Sequence, residues 1–189
     1  MEIKVNPVGA AINQYMMKMA LPLGAYFIIE YLVRNYSASN IFLGVLSLPM
    51  MLLTVFFVYK IMKRMRDKLL EGRITGFMAW TFGTQLMLFA GLIEAAFIYI
   101  YNEFIVPTNL MNIHEQMIEQ YESVMKTIEA LPEKSGLVTS ASTMMQDTLN
   151  VLKETPVSSA IETAMSMLSN DIFFGMIIMA FIAPIIRKK

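Results

Sequence analysis

The chain has 189 residues, of which 56% are hydrophobic and only 16% charged, with a mean hydropathy of +0.53. Soluble domains are nearer about 45–50% apolar and about a quarter charged, so this composition points to a membrane protein. Net charge is zero and cysteine is absent, which excludes a disulfide framework, a thiolate metal site and a Cys nucleophile. A single histidine leaves little for acid–base or covalent chemistry. No zinc spacing, phosphate-cradling glycine loop, dinucleotide fingerprint or nucleophile–base pair occurs. The sequence therefore predicts a non-enzymatic protein with no cofactor and no metal.

About 20 apolar residues are needed to cross the hydrocarbon core of a bilayer. Tyr15 to Val33, Ile41 to Tyr59 and Gly76 to Tyr101 qualify. Ile172 to Ile186 is 15 residues long and qualifies only if Ala164 to Asp171 joins the same helix. The first segment is too long for a signal peptide and is interrupted by Lys18 and Glu30. Membrane helices are thus predicted over about 14–34, 40–60, 75–103 and 164–187, with a helical insertion over about 104–170.

Lys60 to Leu70 continues the second helix, with Ile61, Met62, Met65 and Leu69 on one face, and Gly72 is its stop. Its cations, Lys60, Lys63, Arg64, Arg66 and Lys68, are read either as a membrane-surface basic patch near anionic headgroups or, with Arg73, as a topology determinant alone. This basic loop and the closing Arg187-Lys188-Lys189 assign both to the cytoplasm, because short basic loops stay inside. A basic patch found only beside an apolar segment argues for the lipid bilayer as partner and against nucleic acid. The resulting fold class is an all-α integral membrane four-helix bundle, both termini cytoplasmic, with an extracytoplasmic helical projection between membrane helices three and four.

That projection, Asn102 to Asp171, carries ten acidic residues against three lysines. Leu110, Ile113, Met117, Tyr121, Val124, Ile128 and Leu131 recur at spacings of three and four, predicting an amphipathic helix. Leu131 to Gly136 reads as a turn, and a second helix follows over about Thr139 to Lys153, with Met145, Leu149 and Leu152 inward. Thr155 as N-cap and Pro156 at the first helical position predict one helix from Pro156 to Ile186. Met111, His114 and Met117 share a helix face that suits Cu(I). Nineteen methionines dispersed over the chain favour Met as adaptable packing instead.

Three ionisable residues fall inside the spans: Lys18, Glu30 and Glu94. Lys18 lies near the inner interface and can snorkel, and Glu30 has Arg34 one turn away. Glu94 stands in an uninterrupted apolar run, where a charge costs about 2.5–3.5 kcal/mol on insertion scales. At 100° per residue from Gly76, its face also holds Gly83, Met87, Ala90, Gly91 and Tyr101. Small residues on one stripe let membrane helices approach closely, so Gly76, Gly83 and Gly91 are the predicted packing glycines and Glu94 is predicted to face the bundle. Two roles follow from these residues. One is an accessory or assembly subunit whose outer helices dock a protein partner or a second copy. The other is a small transporter or ion-conducting oligomer using Glu94.

The stretch "YIYNEFIVP" closing the third apolar segment, the helix "NIHEQMIEQYESVMKTIEAL" after it, and a last apolar helix ending in "RKK" resemble domain-of-unknown-function family 4199. Members often carry Asp where this chain has Val106, and their outer segment is often shorter. The resemblance implies a four-helix bacterial inner-membrane protein and brings no activity with it.

Overall fold

The computed structural model describes residues 7–37, 41–129 and 136–187. Their regular structure is helical: α1 (Pro7–Ser37), α2 (Ile41–Leu69), α3 (Gly76–Ile100), α4 (Asn109–Glu129), α5 (Gly136–Glu154) and α6 (Ala160–Ile186), with one π turn at Tyr101–Ile105. Among the described residues, three stretches are long and apolar enough to cross a membrane, 9–37, 76–105 and 160–186. Helices α1, α2, α3 and α6 pack on one another, while α4 and α5 pair outside them. The turn expected at Leu131–Ser135 lies outside the described residues, as do Lys134, Lys188 and Lys189.

Local chemistry explains where the helices end. Helix α2 runs on through the basic stretch, and Met62 and Met65 are fully buried in the main core with Ile61 and Leu69 packed against it. Glu71 (φ 48°) and Gly72 (φ 81°) then turn the chain in the left-handed region. The Gly72 amide donates to the Arg66 carbonyl at 3.0 Å, ending the helix. Thr75 restarts it, its hydroxyl accepting from the Met78 amide at 3.1 Å.

The last helix starts later than Pro156. Ser159 and Glu162 form a reciprocal capping box that satisfies two otherwise orphaned amides. Pro156 offers only a preset φ without a donor, so the box sets the boundary and α6 begins at Ala160. From there one helix runs unbroken to Ile186.

The most extensive packing joins α3 and α6. They run antiparallel, and glycine faces a large side chain at successive turns. A Cβ on Gly83 would collide with the Met179 side chain, one on Gly175 would lie 2.7 Å from Met87 Cβ, and one on Gly91 would lie 2.9 Å from Asp171 Oδ2. Helix α1 uses the same device against α3, with Gly24 under Ile93 Cβ at 2.9 Å. Gly83 and Gly91 are therefore packing glycines as expected. Gly76 is not, since its nearest neighbour, Arg187 Cδ, stands at an ordinary 3.9 Å. It sits at the start of α3, where α6 has already ended.

The hairpin of α4 and α5 is amphipathic, with α5 on its predicted face, since Met145 and Leu152 are half-buried beside Leu149, and α4 turned slightly from its own. Met125 and Leu149 are buried, whereas Met117 and Val124, both expected inward, are 40% and 44% exposed. Lys153 Nζ donates to Glu122 Oε1 at 2.6 Å across α4 and α5, and this ammonium holds the Glu122 carboxyl below the ordinary carboxylate range.

The two glycine contacts differ in what must yield. Gly83→Ala meets mainly the flexible end of Met179, but Gly175→Ala meets Met87 Cβ and Cγ at 2.7 Å, next to the backbone. Overpacking costs about 1–3 kcal/mol, so Gly175→Ala should lower the thermal midpoint in detergent distinctly more than Gly83→Ala. Equal shifts would contradict this packing.

Candidate functional site

Where α1, α2, α3 and α6 come together, their polar residues converge on one cleft. Phe27, Glu30 and Arg34 of α1 form one wall, with Thr54 of α2, Glu94 of α3 and Asn170 and Asp171 of α6 around a cavity of about 310 Å3. Glu94 is 4% exposed, so it does point into the bundle. Its carboxyl faces that of Asp171 within hydrogen-bonding reach, with Arg34 and Glu30 the next ionisable groups.

The α3–α6 seam creates this pair. Gly91, one turn before Glu94 on the same stripe, lets Asp171 approach α3. An alanine there would push α6 away and separate the two acids. Neither carboxyl accepts from an N–H or hydroxyl donor of another described residue, and Asp171 Oδ2 is buried with no hydrogen-bond partner. Two acids meeting in apolar surroundings readily hold a proton between them, because both cannot stay charged at that distance.

Glu30 reaches the cleft from α1 and accepts a hydrogen bond from the Thr54 hydroxyl at 3.3 Å. Its expected partner Arg34 instead donates from Nη2 to Met167 Sδ at 3.2 Å. The described ion pairs are Arg66–Asp67 and Lys153–Glu122, neither of them in the cleft. Lys18 is exposed and does not line the cleft.

At the end of the bundle next to α4 lies a second polar cluster. Asn102, 3% exposed, donates to the Tyr31 hydroxyl at 2.9 Å and the Ile98 carbonyl at 2.8 Å, and accepts from Asn109 Nδ2 at 2.7 Å. The Tyr36 and Tyr101 hydroxyls are 3.0 Å apart. The π turn, closed by the Val106 amide on the Tyr101 carbonyl at 2.8 Å, redirects the chain from α3 towards α4. Buried π turns often accompany functional sites.

The basic patch divides. Lys60, Lys63, Arg64 and Lys68 are exposed, and Lys60 and Lys63 lie over the rings of Phe56 and Tyr59 at 5.3 and 5.9 Å. Arg66 does not belong with them. It is 7% exposed, and its Nη1 donates to the Ile186 carbonyl at 3.0 Å. A cation on the last carbonyls of α6 satisfies orphan acceptors and complements the helix dipole.

A family model described as "Protein of unknown function (DUF4199)" matches residues 17–188. The chain belongs to the DUF4199 family. All the ionisable residues of the cleft, and helices α4 and α5, lie inside that match. No curated protein and no solved structure matches the chain.

The sequence indicates Glu94, and Glu30 with Arg34 beside it, but not Asp171 and Thr54 as their neighbours across the bundle. If Glu94 and Asp171 satisfy each other, removing one should cost more than removing both. Leaving one buried polar group unpaired costs about 1–3 kcal/mol. Glu94→Leu should therefore destabilise the detergent-solubilised protein by about that amount, Glu94→Gln by little, and Glu94→Leu with Asp171→Leu by less than Glu94→Leu alone. A double variant weaker than the sum of its singles would refute the pairing.

Proposed function

We propose that this DUF4199 protein is a non-enzymatic, four-span protein of the bacterial inner membrane that takes up and releases a proton or small cation at the Glu94–Asp171 pair. In this reading α2 is the fourth span, both termini are cytoplasmic, and α4 and α5 project outside. The observation that carries it is the cleft itself: three carboxyls, Glu30, Glu94 and Asp171, and one guanidinium gathered where apolar helices meet. Ionisable groups at that depth mark ion and proton pathways by default, since each is costly there without a use. Asp171 strengthens the transport role over the sequence view, in which Glu94 stood alone.

A second reading keeps the outer hairpin as a docking element for a protein partner or a second copy. Its support is the exposure of Met111, Met117, Val124, Met144 and Val151 on α4 and α5.

Purified protein in liposomes loaded with a pH-sensitive dye, under a potassium diffusion potential, separates the two. The transport reading expects proton flux above protein-free vesicles, falling at least tenfold in Glu94→Gln although that variant folds. Flux no greater than the empty-vesicle leak, or unchanged by Glu94→Gln, would sink transport and favour docking.

A further inference from the structure

The cleft has two chemically different ends. Its floor is polar, but its mouth is formed by Met51 and Leu52 of α2 and Phe174 and Ile177 of α6, which are 52%, 67%, 49% and 39% exposed. In a protein embedded in lipid, those side chains face the acyl chains. Few contacts join α2 to α6, so the opening is lateral, between these two helices. A proton or a hydrated inorganic ion has no need of such a mouth.

Charge sets the sign of the occupant. The ionisable groups facing Glu94 are Glu30 and Arg34 from α1 and Asp171 from α6; α2 contributes the neutral Thr54. With one proton held between Glu94 and Asp171, the pair carries one negative charge, Glu30 a second, and Arg34 cancels one. A single negative charge remains. Glu94 is more than nine-tenths buried and lines the cavity, with only another acid for company. Asp171 Oδ2 accepts from no N–H or hydroxyl donor among the described residues. Such a floor wants a donor or a cation. A cavity of about 310 Å3 is at the lower end of the range for small-molecule sites, about 300–1,000 Å3.

Resting on the proton-exchange reading above, we infer that the cleft binds a monovalent amphiphilic organic cation, its charged centre against Glu94 and Asp171 and its apolar body in the mouth between α2 and α6. Entry of the cation makes the shared proton redundant. The proton leaves to water as the cation takes its place, so one positive charge is exchanged for another and no bond other than O–H is broken. Binding therefore competes with protons and strengthens as pH rises. Arg34 keeps its charge throughout, and the cavity of about 310 Å3 has room for one such organic cation.

The probe is tetraphenylphosphonium, titrated by calorimetry into the purified protein in mild detergent, with tetraphenylborate as a control of the same shape and opposite charge. The expected result is one saturable site per chain, affinity rising with pH, and proton release into weakly buffered solution on binding. Glu94→Gln and Asp171→Asn should each weaken binding at least tenfold. Leu52→Trp, which fills the exposed mouth and leaves the carboxyls intact, should do the same without altering stability. Equal binding of tetraphenylborate, or unchanged affinity in Glu94→Gln, would overturn the inference. Proton flux in liposomes with no phosphonium site would also overturn it while leaving the exchange reading standing. A phosphonium site with no flux would support the site and remove the transport role.

Discussion

Everything in the bundle depends on how closely α3 and α6 approach. A membrane offers no hydrophobic drive between helices, because lipid tails are as apolar as leucine, so association rests on packing and polar contacts. Here glycine and large side chains alternate across an antiparallel seam: Gly83 receives Met179, Gly175 receives Met87, and Gly91 receives Asp171. The first two pairs are packing alone. The third sets a carboxylate against α3, one turn from Glu94, so the same geometry that holds the helices together also assembles the polar cleft. Stability and chemistry share one constraint.

The polar contacts between the remaining helices are sparse and placed at different depths. Tyr26 donates to the Met50 carbonyl at 2.6 Å and Thr54 to Glu30, tying α1 to α2. Arg66 ties α2 to the end of α6, and Asn102 with Tyr31 ties α3 to α1. Interhelical hydrogen bonds in membranes average only about 0.6 kcal/mol, so these contacts fix register more than they supply stability. The cleft is the exception, since two acids there meet no protein donor from another described residue. Among the described residues Asn35 Nδ2 and Asp171 Oδ2 are the buried side-chain atoms without a hydrogen-bond partner, and of these the Asp171 oxygen is the one that faces a cavity-lining acid.

How much of this was legible in the sequence differs residue by residue. Glu94 was readable because helical periodicity put it on the glycine stripe, and a buried face follows from period alone. Asp171 was not: it falls within the predicted last span of about 164–187, but the apolar run proper begins just after it and it counts among the acidic residues of the projection. Its partnership depends on the antiparallel register of two helices far apart in sequence. Arg66 misled for a related reason. It stands among solvent-facing cations, and the carbonyl it caps is 120 residues away. Gly24 and Gly175 lie in segments whose hydropathy is uniform, with no local sign of a crossing point. The start of α6 set two local signals against each other, and the reciprocal hydrogen bonds of Ser159 and Glu162 outweighed the preset φ of Pro156.

The seam can be tested without reference to any activity, because the chain contains no cysteine. A Cβ built on Gly91 lies 3.1 Å from Asp171 Cβ, close to the spacing of about 3.8 Å across a disulfide. Replacing Asp171 also removes the oxygen that such a Cβ would meet. Gly91→Cys combined with Asp171→Cys, oxidised mildly in native membranes and digested for mass spectrometry, should give a near-complete crosslink within one chain. An absent crosslink, or one formed only between chains, would contradict the register on which the cleft depends.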